Sequence, residues 1–215
     1  MLRTLIVAVA TWATIASSAS AVPIEVFSTG VDVNGAVVAN GTVGDAHYTL
    51  VSAPAGISTT NVRAADSNNG FPIGPWLGDN TISRWIGPNT DSEFNGPVGN
   101  YVYETTFDLD GLNAATAILT GSFATDNTPG TIELNGTDVG VASNGFTAFT
   151  NFTITSGFVP GINTLSFLVR NAGGPTGLRV EISGEAEAVI PLPAPALLLL
   201  TALGALTLRA RRAQV

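Results

Sequence analysis

Along most of this chain the apolar residues recur with a period of two, and that rhythm is broken about every ten residues by Gly, Asn, Pro or Asp. The stretches "HYTLVS", "YVYETTFDL", "ATAILTGSF", "GTIELNG", "FTNFTIT", "NTLSFLVR" and "GLRVEIS" alternate or cluster Val, Ile, Thr, Phe and Tyr. Such residues fit the pleated, half-buried surface of a strand. No stretch sustains helical periodicity for more than two turns, and Asn34-Gly35, Asn135-Gly136 and Asn144-Gly145 each offer the positive φ angles of a tight hairpin. Many short strands with regular turn signals predict an all-β fold, a single β-sandwich of jelly-roll type over residues 22–187. No linker divides it.

Composition narrows the chemistry of this middle segment. It holds all sixteen acidic residues of the chain but only Arg63, Arg84, Arg170 and Arg179 as bases, a formal charge of −12. A surface of that sign repels phosphate backbones, which argues against nucleic acid as a partner. The same acidity keeps an exported domain soluble. Cysteine is absent, so disulfides, thiolate metal sites and cysteine nucleophiles are excluded and stability must come from the core.

Both ends are apolar and read as address labels. Arg3 precedes an apolar run from Leu5 to Ile15 that is too short to span a bilayer, and Ala19-Ser20-Ala21 supplies the small residues a signal peptidase accepts. Cleavage is expected after Ala21, so residues 1–21 form a signal peptide. At the other end the fifteen residues Ala194 to Leu208 carry no charge. As a helix they reach about 22 Å, or about 30 Å when counted from Val189. Pro191, Pro193 and Pro195 favour an extended approach. Arg209, Arg211 and Arg212 resist translocation and stay cytoplasmic. Everything between the two labels is expected outside the inner membrane.

A proline-rich signature, a short apolar helix and a terminal arginine cluster, in that order over residues 188–215, resemble the bacterial PEP-CTERM sorting signals. Ile190-Pro191-Leu192-Pro193-Ala194 is similar to the V-P-L-P-A variant, with Ile190 in place of valine and Leu192 where P-E-P signals carry glutamate. The resemblance implies recognition by an exosortase-type membrane protease, brief residence in the inner membrane, and delivery to the cell surface or its exopolysaccharide. The alternative is a plain C-terminal anchor without processing, which also leaves the body outside.

A more local resemblance is carried by "LNGTDVG" at Leu134 to Gly140 and "GINTLSFLVRN" at Gly161 to Asn171, behind the aromatic strand "YVYETTFDL". These are similar to the galactose-binding-like jelly rolls found as sugar-binding domains beside glycoside hydrolases. They imply the fold, and fold does not fix function.

Candidate chemistry is sparse. His47 is the one histidine, and no G-x-S-x-G elbow presents a serine, so a catalytic triad is disfavoured. Zinc would have to be held almost wholly by carboxylates. Calcium accepts carboxylates and carbonyls from irregular loops, which makes Asp108 and Asp110 in "FDLDG" and Asp126 and Asn127 in "ATDNTPG" its candidate ligands. Asp and Asn also populate turns for local reasons. Sugar binding needs an exposed aromatic face flanked by hydrogen-bonding groups. Trp76, in the glycine- and proline-rich "FPIGPWLGDN", is the candidate platform, and Arg170, Asn171 and Arg179 are candidate hydrogen-bonding partners. The competing role for Trp76 is a loop side chain plugging the sandwich edge, while Trp85 in "SRWIG" reads as core.

The sequence thus describes an exported surface or matrix protein, non-catalytic and with carbohydrate as its candidate ligand. Its rivals are a glycan-acting hydrolase, which needs two carboxylates at a set separation, and a purely structural matrix component. Mass spectrometry of the protein isolated from cells should find an amino terminus at Val22 and a carboxyl terminus near Ile190–Ala194. An intact "RARRAQV" ending would remove the sorting reading and leave an anchor.

Overall fold

A computed structural model describes residues 20–39, 44–58, 62–65, 70–88 and 95–189. Ala19, the motif Ile190–Ala194 and Arg209, Arg211 and Arg212 lie outside the described residues. Among the described residues no helix is long and apolar enough to cross a membrane.

The described chain forms eleven strands: β1 (Ala21–Pro23), β2 (Thr49–Ser52), β3 (Val62–Ala64), β4 (Ile86–Pro88), β5 (Gly99–Asp108), β6 (Ile118–Asp126), β7 (Gly130–Leu134), β8 (Thr137–Ala142), β9 (Thr150–Ile154), β10 (Ile162–Asn171) and β11 (Gly177–Glu187). They make two antiparallel sheets. The first runs β3-β4-β11-β6-β9, with β1 also paired to β11, and the second runs β2-β5-β10-β7-β8. The expected all-β sandwich is present, and a 3-10 turn at Ala114–Thr116, capped by the Asn113 side chain, interrupts it.

Alternation decides which side chains fill the space between the sheets. In β5 Tyr101, Tyr103 and Phe107 are buried, and in β10 Leu165, Phe167 and Val169. From the first sheet come Leu119 and Phe123 of β6 and Leu178 and Val180 of β11. Phe167 meets Phe123 at 6.0 Å, Phe152 at 6.5 Å and Tyr48 at 6.2 Å between ring centroids. Each such ring removed from water contributes about 1.5–3 kcal/mol. Gly121 of β6 is required because a side chain there would strike the Phe152 ring and the Glu181 carbonyl.

Of the three Asn-Gly pairs, only Asn135-Gly136 joins two described strands as the hairpin predicted. It links β7 to β8 with φ of 51° and 77°. Asn135 also tethers the neighbouring strand, since its Oδ1 accepts from the Thr164 amide and its Nδ2 donates to Asn163 Oδ1. At the other two pairs only the glycine has positive φ. Gly35 sits in a turn closed by the Asp32 carboxylate, whose Oδ1 accepts from the Asn34 and Ala36 amides. Gly145 lies in the crossing from β8 to β9, where its carbonyl accepts from Thr125.

The long strands define two ends. One holds the finish of β6 at Asp126 and of β10 at Asn171. The other holds the finish of β5 at Asp108, opposite Ile162, and of β11 at Glu187, opposite Ala21.

Candidate functional site

The Asp126 end gathers six of the residues singled out from sequence. The excursion between β3 and β4 folds over the outer face of the first sheet and forms a second apolar cluster of Ala65, Phe71, Trp76, Trp85 and Ala124, with Leu77, Phe146 and Phe149 against it. Trp76 is 7% exposed. Its ring lies 4.4 Å from Trp85 and 5.9 Å from Phe71 between centroids, and its Nε1 donates to Asp126 Oδ2 at 2.9 Å. The expected stacking platform is therefore a buried plug, the competing role. Small outward positions on the sheet let the loop lie close, because a Cβ on Gly177 would come within 2.9 Å of the Ile86 carbonyl and 3.3 Å of the Trp76 ring. Trp85 is core, as the sequence indicated.

The neighbouring candidates are interlocked in the same way. Arg179 is 1% exposed. Its Nε donates to Ser83 Oγ at 2.8 Å, its Nη1 to the Gly78 carbonyl at 2.5 Å, and its guanidinium lies 5.2 Å above the Phe149 ring. Burial lowers its pKa, opposed by Glu181 and Asp79. It clasps the covering loop and cannot reach a surface ligand. Asn171 is also buried, donating to the Gly96 carbonyl at 2.8 Å while accepting from the Gly173 amide. Asn127 donates to Asp126 Oδ1 and accepts from the Ala172 amide. Arg170 alone of the three proposed hydrogen-bonding partners is exposed; its carbonyl accepts from the Asn127 amide.

The four proposed calcium ligands do not converge. Asp108 faces Ile162 at the start of β10, whereas Asn127 bonds Arg170 near its finish. At about 3.3 Å per residue the two pairs stand roughly 26 Å apart. Asp108 is an Asx turn, its Oδ1 accepting from the Asp110 amide. Among the described residues no group of three or more His, Asp or Glu is placed to hold a metal ion.

What the first sheet offers to solvent lies below the covering loop. Thr120 and Ser122 of β6, Asn151 of β9 and Glu181 and Ser183 of β11 line a shallow groove of about 370 Å3, with exposed Ile82 on its rim. Thr120 and Ser183 share a hydrogen bond at 3.3 Å. Glu181 Oε1 is held by Asn80 at 2.6 Å and Ser83 at 2.9 Å, while Oε2 takes no hydrogen bond from the described residues. Beside it, between the edge strands β8 and β9, Thr137, Asp138, Thr153, Thr155 and Ser156 help line a second depression of about 340 Å3. Hydroxyls that both donate and accept, an amide and a carboxylate oxygen suit a polyhydroxylated ligand. No local sequence signal marks this groove, since Thr, Ser and Asn at alternate positions are what any solvated strand face carries.

No family model and no curated protein matches this chain. Among solved structures, a family 35 carbohydrate binding module from Clostridium thermocellum is similar at 13% identity, over 78% of this chain and 98% of that one, with a TM-score of 0.32. A superposition that loose fixes no residue correspondence.

Burial pushes the Asp126 carboxyl up to about 6 from 3.8, against the Trp76 hydrogen bond, which lowers it. The folded state therefore holds a proton that the unfolded chain has released, and the stability this adds is present below about pH 4 and lost as pH rises through about 6. Measured against wild type, Asp126→Asn should gain in melting temperature between about pH 4 and pH 7.5. A difference that stays constant across that range would refute the buried-carboxyl assignment.

Proposed function

We propose that this is an exported surface protein, held in the inner membrane by its C-terminal run until that run is processed, whose sandwich binds carbohydrate and catalyses nothing. The observation that carries the carbohydrate reading is the groove of Thr120, Ser122, Asn151, Glu181 and Ser183. It presents hydroxyl, amide and carboxylate groups on a rigid sheet, so their spacing is fixed before a ligand arrives. The groove's carboxylate is already bonded to Asn80 and Ser83, so it serves as an oriented acceptor rather than one of a catalytic pair. With its aromatic rings buried in the covering cluster, the site would depend on hydrogen bonds, and its affinity per sugar would be low. Repetition along a polysaccharide would compensate. The export half of the reading rests on the apolar termini, their small-residue and proline motifs, and the closing arginines. A secreted glycan would then be the ligand within reach.

An array of bacterial exopolysaccharide fragments, probed with the purified protein, tests this. Asn151→Ala and Thr120→Val should each weaken retention about fivefold, the worth of one hydrogen bond of about 1 kcal/mol, without altering the melting temperature. The carbohydrate reading fails if no glycan is retained, or if both variants bind like the parent.

A further inference from the structure

The end of the sandwich opposite Asp126 carries an apolar groove that the core does not fill. The loop after β5 and the loop before β10 enclose about 690 Å3, lined by Leu112, Phe158, Pro160 and Val189 among others. Phe158 packs on Phe107 at 6.2 Å between centroids, which makes the groove floor continuous with the core. Around it Val159 is 44% exposed, Ile162 63% and Val189 58%. Large apolar side chains gathered at one place on a soluble domain mark an interaction surface.

Both apolar segments of the chain depart from this end. Val189, which lines the groove, donates its amide to the Gly111 carbonyl, and the Ala188 amide donates to the Ser20 carbonyl at 3.4 Å. Four residues separate Val189 from Ala194, where the uncharged run to Leu208 begins. Even fully extended, the five steps from Val189 to Ala194 reach only about 17 Å. A bilayer that holds this run therefore lies within that distance of the groove. Resting on the membrane-held stage of the function proposed above, we infer that at that stage this end face docks on the lipid surface, with exposed Val159, Pro160, Ile162 and Val189 entering the interfacial region.

The charge around the groove defines the lipid. Asp108, Asp110, Glu185 and Glu187 belong to this end, whereas Arg170 lies at the finish of β10, Arg179 near the start of β11, and Arg63 and Arg84 beside that start through β4 and Thr29. Contact is therefore apolar, as in interfacial helices, but without their cationic attraction to anionic lipid. Zwitterionic bilayers suit it better than anionic ones.

The absence of cysteine allows a single environment-sensitive dye to be placed at will. The full chain, labelled at Val159→Cys or, at the far end, at exposed Ala172→Cys, is reconstituted in phosphatidylcholine vesicles with and without spin-labelled lipid. Flotation reports the tether separately from the dye. The expected result is that both proteins float, that the label at 159 shifts to the blue and is quenched by the spin-labelled lipid, and that the label at 172 does neither. Floating protein with water-like emission at both positions overturns the docking and leaves the tether intact. Protein that does not float overturns both. A label at 159 that is shielded only in native membranes assigns the face to a membrane protein instead and also overturns lipid docking.

Discussion

The contact between the two sheets through Phe167, Phe123 and Phe152 is the constraint on which the remaining structure depends. With no cysteine in the chain, covalent staples play no part, and burial of these rings must outweigh the entropy of ordering a glycine-rich chain. Their placement fixes the phase of the alternation. Once Val180 and Phe123 point inward, Arg179, Glu181 and Ser183 of β11 and Thr120 and Ser122 of β6 must point out. The cover and the groove on the first sheet are consequences of that phase.

The two ends of the sandwich are built to opposite purposes. At the Asp126 end polar groups are buried and tied to loops: Trp76 to Asp126, Asn171 to the Gly96 carbonyl, Arg179 to Ser83 and Gly78. Burying a guanidinium and a carboxyl costs solvation, and hydrogen bonds to the covering loop offset that cost. The far end leaves apolar side chains uncovered beside the points where the chain leaves the sandwich. One end is sealed by its own loops, and the inferred docking gives the other a membrane to rest against.

Most of the fold was legible because alternation is a local signal. The stretches "YVYETTFDL", "GTIELNG", "NTLSFLVR" and "GLRVEIS" became β5, β7, β10 and β11, and Asn135-Gly136 turned the hairpin predicted for it. The three-residue strands β3 and β4 are too brief to show a period. The site was far less legible. Trp76 stands in a loop of glycines and prolines, a setting that looks exposed until the outward positions Ala124 and Gly177 prove small enough to receive it. Arg179 falls at an outward strand position, where sequence implies solvent, yet the loop carrying Ser83 lies over it. Asp108 and Asp126 were grouped by composition, and only the register of β10 shows that they occupy opposite ends. In each case the deciding contact joins residues distant in sequence.

Export is the central proposal: the sandwich folds by itself beyond the inner membrane while its greasy ends serve as labels. A direct test is labelling of Ala172→Cys, exposed at the sealed end, by a membrane-impermeant maleimide in spheroplasts of expressing cells. Full reaction before lysis is expected, with residues 1–21 already removed from the labelled protein. Reaction only after lysis, on a chain that still carries those residues, would contradict it.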